Sequence, residues 1–191
     1  MIKNKKTKKE KGFTLVEALI SITILMVSIA APLSVASSSL IAAKVAEKQI
    51  IAAYLAQDAL EYVINIKAGN KISNYTNGTE ELLHNINICS NHGCFVNTLN
   101  APDDPTNRGI SEYTTADGYK SKKLYLQNSG IYSYNTSGTE TIFSRVVKIN
   151  RLEDKDGNES EYEAKVEVTV YWTSDRGDEK SYTLSANLTK W

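Results

Sequence analysis

The sequence predicts an α+β chain, one long N-terminal helix followed by an antiparallel sheet. Three observations carry that expectation. Residues 13–67 hold one Pro and no Gly, and their pattern changes from wholly apolar to amphipathic along the way. From Tyr162 to Trp172 apolar and polar residues alternate with the period of a half-buried strand. Tyr182, Leu184, Ala186 and Leu188 repeat that period after the short turn Ser174-Asp175-Arg176-Gly177-Asp178, so the two strands run antiparallel.

Composition narrows the function classes. The 191 residues carry 22 Lys plus Arg against 22 Asp plus Glu, and a neutral chain has no bulk field to draw it to nucleic acid. With 41% hydrophobic residues, 10 Gly and 3 Pro, it is neither disordered nor collagen-like. Two Cys and two His exclude a disulfide-dense scaffold and the repeated Cys pairs of zinc-ribbon modules. The neutral total hides an asymmetry: residues 1–12 carry six Lys and one Glu, leaving 16 basic and 21 acidic groups in the other 179 residues. The first dozen residues are therefore a separate basic leader.

From Phe13 to Ala31 run 19 residues with a single charge, Glu17. As a helix they reach about 28 Å at 1.5 Å per residue, against roughly 30 Å of bilayer hydrocarbon. The Lys cluster before this span has no counterpart after it, which sets the N-terminus in the cytoplasm and the remainder outside. One reading is an ordinary secretory signal with Ser34-Val35-Ala36 as the cleavage site, releasing an exported binding or adhesion domain near Ala36. Two features oppose it. The apolar run exceeds the roughly 7 to 15 residues of a signal core, and a carboxylate inside a spanning helix costs about 2.5–3.5 kcal/mol unless paired. A cut between Gly12 and Phe13 would create the missing partner, an α-amino group four residues from Glu17 at similar membrane depth.

Lys11-Gly12-Phe13-Thr14-Leu15-Val16-Glu17 resembles the class III signal sequence of type IV prepilins and type II secretion pseudopilins. That resemblance implies cleavage by a prepilin peptidase after Gly12, methylation of the new Phe13 amine, and retention of the apolar helix. It implies that Glu17 is the assembly carboxylate, meeting the N-terminus of a neighbouring subunit. The partners implied are the prepilin peptidase, other pilin or pseudopilin subunits, the inner-membrane assembly platform and membrane lipid, with no nucleic acid bound directly.

Pro32 removes a backbone donor and is expected to kink or loosen the helix at the preceding turn. Beyond it Ile41, Val45, Ala52, Leu55, Ala59, Val63 and Ile66 recur at helical spacing, with Lys44, Glu47, Lys48, Gln49, Asp58 and Glu61 on other faces. Ala68-Gly69-Asn70 reads as a stop signal. The expected organisation is a leader over 1–12, a helix over 13–67 with its transmembrane part at 13–31, and an extracytoplasmic head over 68–191.

Residues 70–121 are rich in Asn, Ser, Thr and Gly, and give no firm element. The main strands fall within 122–190. Leu124–Gln127, Ile131–Tyr134 and Thr141–Leu152 each precede a turn cluster, the last being Asp154-Lys155-Asp156-Gly157-Asn158. The apolar sheet face needs cover, and the amphipathic half of the helix supplies it. This arrangement resembles the pilin fold. The segments Ala56-Gln57-Asp58-Ala59-Leu60-Glu61 and Arg145-Val146-Val147, with the closing strands, are most similar to minor pilins of the V type and pseudopilin I.

Cys89 and Cys94 enclose four residues. Outside the cytoplasm they can form a disulfide; free thiols, or a metal site with His84 and His92, are the alternatives. Asp154, Asp156, Asn158 and Glu159 offer oxygen ligands without EF-hand spacing, and read as turn chemistry before calcium chemistry. Arg176-Gly177-Asp178 reads as a hairpin turn before an adhesion tripeptide. Asn74, Asn77, Asn135, Asn158 and Asn187 head Asn-x-Ser/Thr triplets. No phosphate-cradling loop, nucleophile elbow or His-Glu-x-x-His helix occurs. The sequence therefore assigns no catalytic residue, no metal and no cofactor.

Overall fold

The computed structural model describes residues 12–77, 83, 86–100, 109–153, 155–175 and 177–190, with the backbone alone from 70 to 77. The architecture is α+β and pilin-like, a long N-terminal helix packed against an antiparallel sheet. The chain divides into two compact units, 1–46 and 47–191.

Helix α1 spans Leu15–Asn77. Within the first unit every described residue is exposed, including Ile41 and Val45. The face that packs on the sheet therefore begins ten residues later than the spacing suggested, at Ile51 and Ala52. The helix also passes its expected stop. Gly69 does not adopt the left-handed conformation that caps a helix, and the backbone continues to Asn77. A lone Gly in a partly exposed turn costs about 1 kcal/mol relative to Ala and need not end a helix. Pro32 lies inside α1, where Ser28 loses the backbone donor that would otherwise meet its carbonyl.

In the second unit, Ala52, Leu55, Ala56, Ala59, Val63 and Ile66 of α1 are buried against a five-stranded antiparallel sheet of order β2-β1-β6-β7-β8. The strands are β1 (Cys94–Val96), β2 (Ile110–Glu112), β6 (Ser144–Glu153), β7 (Glu159–Thr173) and β8 (Glu179–Thr189). Alternation fixes the register. Val147 faces Val168, and Ile149 faces Val166. Val168 in turn faces Leu184, and Val166 faces Ala186, so the small β-branched side chains share one face, the one toward the helix. Slipping any strand by one residue would turn this face outward. A smaller sheet, β4-β3-β5, is built from β3 (Tyr125–Leu126), β4 (Tyr132–Ser133) and β5 (Thr139–Glu140).

The 70–121 segment, where pattern showed no firm element, supplies two of the five strands in the main sheet. A 3₁₀ turn over Asn87–Ser90 leads into β1, and a disulfide joins Cys89 to Cys94, both fully buried, with an S–S distance of 2.06 Å. Gly93 lies between them at φ 79°, and a Cβ there would come within 2.6 Å of Val146. The loop thus needs Gly for both its conformation and its close approach to β6. Closing a loop this short removes about 2 kcal/mol of denatured-state entropy in the chain-entropy model. The Cys89→Ala, Cys94→Ala double variant is expected to lower head stability by about 2 kcal/mol, checked by urea denaturation of the full chain in detergent.

Candidate assembly site

The first residues of α1 form a defined helix start. Gly12, Phe13 and Thr14 precede the helix in non-helical conformation. The Thr14 hydroxyl accepts a hydrogen bond from the Glu17 backbone N–H at 3.3 Å, and the Thr14 carbonyl accepts from Ala18 N–H at 3.1 Å. Thr14 is the N-cap, and Glu17 sits three residues in, where a carboxylate favours the positive end of the helix dipole. The Thr-x-x-Glu spacing is a cap signature, the signal by which Thr14 could have been assigned from sequence. Phe13 is 77% exposed. Among the described residues no cation meets the Glu17 carboxylate.

The hydroxyls inside the apolar span are internally satisfied. Ser21 donates to Glu17 O at 2.8 Å, Thr23 to Ile20 O at 2.8 Å and Ser28 to Ile24 O at 2.7 Å. Such bonds remove the desolvation cost of a bare hydroxyl in hydrocarbon. The span has a mean hydropathy of 2.2 over its most apolar window and is long enough to cross a membrane by length and composition.

The head has its own polar centre, which sequence reasoning missed. Arg145 on β6 is 1% exposed. Its Nη1 donates to Leu55 O at 2.7 Å and to Asp58 Oδ2 at 2.9 Å, both on α1, and its Nη2 donates to Val96 O of β1 at 2.6 Å. Asp58 Oδ2 also accepts from the Thr98 hydroxyl at 2.9 Å, and the buried Tyr113 phenol donates to Arg145 O at 2.8 Å. Nearby, Lys122 Nζ lies 3.6 Å from the centroid of the Phe95 ring, itself packed on Tyr113 and Tyr134. Burial, reinforced by Tyr134, raises the Tyr113 phenol well above its usual range. The signal was present in the sequence: Arg145, Val147 and Ile149 share strand parity, so a core strand carried a charge on its buried side and required an anion.

The other sequence candidates fall in separate places. Cys89 and Cys94 are the disulfide described above, and no cysteine is free among the described residues. His92 lies 3.8 Å from Glu112, and His84 is outside the described residues. Among the described residues no group of three His, Cys, Asp or Glu side chains converges as metal ligands would. Asp156, Asn158 and Glu159 lie at the β6–β7 turn, while Asp154 is outside the described residues. So are the leader up to Lys11, and Arg176 of the Arg-Gly-Asp tripeptide. Asp175 beside it pairs with Lys48, which ties the β7–β8 turn to the start of the head's helical segment.

Comparison with known families turns on the first of these sites. Residues 7–31 match the prokaryotic N-terminal methylation motif. This is the class III signal of type IV pilin-like proteins, substrates of prepilin peptidase, and it marks a structural family. The match covers Gly12, Phe13 and Glu17 together with the apolar span. Motif and helix are both consistent with a single-pass membrane anchor. No curated protein and no solved structure matches the chain.

Two outcomes test the polar centre. Asp58→Ala leaves the buried guanidinium without its counter-charge and is expected to destabilise the head by about 3 kcal/mol in urea denaturation. The Tyr113 phenol keeps its proton in the folded state, whereas the unfolded phenol releases it near pH 10. Its contribution is therefore complete below pH ~10 and falls above it, by up to ~1.4 kcal/mol per pH unit. Tyr113→Phe is expected to flatten the decline in urea midpoint between pH ~9.5 and ~11.

Proposed function

We propose that this chain is a structural minor pilin or pseudopilin subunit of a type IV pilus or type II secretion-like fibre, most like minor pilin V or pseudopilin I. Prepilin peptidase cleaves between Gly12 and Phe13 on the cytoplasmic side and methylates the Phe13 amine. The 13–31 segment then holds the subunit in the cytoplasmic membrane with its head outside. On extraction by the assembly platform, Glu17 meets the Phe13 amine of an adjoining subunit. The observation that carries this reading is the methylation motif over 7–31, running directly into a capped and exposed apolar helix.

Local geometry supports the chemistry. The Gly12-Phe13 bond precedes the first helical turn, so a peptidase reaches it without unwinding hydrogen-bonded backbone. Among the described residues, none beyond its chain neighbours places an atom within 4 Å of where a Cβ on Gly12 would stand. The packing of the described residues therefore does not require glycine there, which leaves the requirement to the peptidase. In the fibre, one amine and one carboxylate at similar depth cancel two isolated charges in apolar surroundings. The pairing also fixes the stagger between parallel helices. By contrast, cleavage near Ala36 would have to occur within α1, where Ser34 to Ser37 are helical.

Mass spectrometry of the mature chain is expected to find N-methylated Phe13 as the first residue; Ser37 in that position overturns the reading in favour of an exported domain. Glu17→Ala is expected to leave processing intact and lower recovery in sheared fibres by at least about tenfold, the equivalent of ~1.4 kcal/mol of lost pairing. Unchanged incorporation removes the role assigned to Glu17.

A further inference from the structure

We infer that Asn158, at the tip of the β6–β7 hairpin, is a glycan acceptor whose side-chain amide takes a saccharide from a lipid-linked donor. The inference rests on the fibre-subunit reading above, which puts the head outside the cytoplasm. Five Asn-x-Ser/Thr triplets occur in the chain, and side chains are described for those at Asn135, Asn158 and Asn187. A transferase must bring the amide nitrogen to the sugar while holding the hydroxyl two residues on, which demands an exposed triplet that bends.

Two of the three do not meet that demand. Asn187 lies inside β8, opposite Lys165 in an unbroken ladder, and the residue between it and Thr189 is the buried Leu188. Bending there would break strand pairing and core contacts. Asn135 follows β4 in a turn that pins it. Its Oδ1 accepts from Ser137 N–H at 3.0 Å, its carbonyl accepts from Gln127 Nε2 at 2.8 Å, and the Ser137 hydroxyl bonds Gln127 Oε1 at 3.2 Å. The amide oxygen and the hydroxyl of that triplet are thus already engaged in holding the turn.

The β6–β7 tip is built otherwise. Lys155, Asp156, Gly157 and Asn158 are all exposed and stand outside the strands. Gly157 takes φ 82°, and none of the described residues beyond its chain neighbours places an atom within 4 Å of where a Cβ would stand. The ladder also loosens toward the turn. Arg151 pairs with Ala164 and the next pair is Glu153 with Glu159, so Ser160 to Glu163 of β7 lie opposite Leu152 alone on β6. Such a bulge bends the strand that carries it, and the closing pair sets two carboxylates opposite each other, which weakens it. Ser160 stands in the bulge. Its oxygen accepts from the N–H groups of Tyr162 and Glu163 at 3.1 and 3.2 Å, and its own proton goes to no acceptor among the described residues. Asp156, two residues before Asn158, adds an exposed carboxylate that a cationic groove can read. The tip lies at the end of β7 away from Asp175 and its partner Lys48, so a glycan there leaves the start of the head's helical segment clear.

The co-substrate is a saccharide carried on a polyprenyl pyrophosphate. Nδ2 of Asn158 forms a bond to C1 of the sugar, and the bond from C1 to the pyrophosphate oxygen breaks with its electron pair on the pyrophosphate. Nδ2 gives one proton to a carboxylate of the transferase. The product is an N-linked glycan on the hairpin tip, a bulky and solubilising group at the surface of the head.

Peptide mass spectrometry of the full chain, purified from the membranes of its own host, tests this. The peptide holding Asn158 is expected to carry a saccharide mass that is retained in Ser160→Thr and lost in Ser160→Ala and in Asn158→Gln. Loss in Ser160→Ala, where the acceptor amide is intact, ties the modification to the triplet. A bare Asn158 in chains that begin with methylated Phe13 overturns the glycan and leaves the subunit reading standing. A saccharide mass that persists in Asn158→Gln sits on another residue and overturns the assignment as well. Ser37 as the first residue takes down the subunit reading and not the acceptor, which stands or falls on the mass at Asn158. The spectrum of the unsubstituted chain decides even where a variant fails to fold.

Discussion

The head is organised by one guanidinium. Arg145 carries a full charge into the core, and its hydrogen bonds reach α1 at Leu55 and Asp58 and β1 at Val96. The apolar contacts around it set Ala, Leu, Val and Ile of the helix against a row of Val on the sheet. Hydrophobic burial is non-directional and scales with area. A planar fork with fixed donors prefers one register, since a helix displaced by a turn would leave the fork facing other carbonyls and the charge without its anion. The register of helix on sheet therefore rests on Arg145 while the bulk of the burial rests on its neighbours.

The same helix answers to two solvents. Up to Ala46 its side chains are exposed and mostly apolar, a surface suited to lipid or to other helices. From Glu47 onward it presents a narrow face of Ala, Leu, Val and Ile to a sheet. Ser and Thr in the first stretch turn their hydroxyls back on the helix, whereas Asp58 in the second reaches another element. Polar groups bond inward where no partner is guaranteed and outward where one is fixed.

Much of this was legible from local pattern. Ala164, Val166, Val168, Val170 and Trp172 are the buried face of β7, as their alternation required. The hairpin to β8 falls where its turn residues stand. The helix was legible in extent up to its end, where Gly69 was overweighted as a stop. Less visible was everything that depends on distant pairing. β1 and β2 are three residues each, too short for periodicity to register, and exist because β6 and the disulfide hold them. The Arg145 centre joins residues 87 positions apart. The segments containing Asp58 and Arg145 each resemble pilin-family segments, yet nothing local says that they touch.

The buried disulfide fixes an order of events. Both sulfurs belong to residues with no accessible surface once the helix lies on the sheet, so an oxidant must act before the domain closes. Such bonds form and persist in oxidising surroundings, and the burial of this one places its formation before docking of the helix on the sheet. Oxidation is thus an early step of folding, after which a reductant in the medium has no route to the bond short of unfolding the domain.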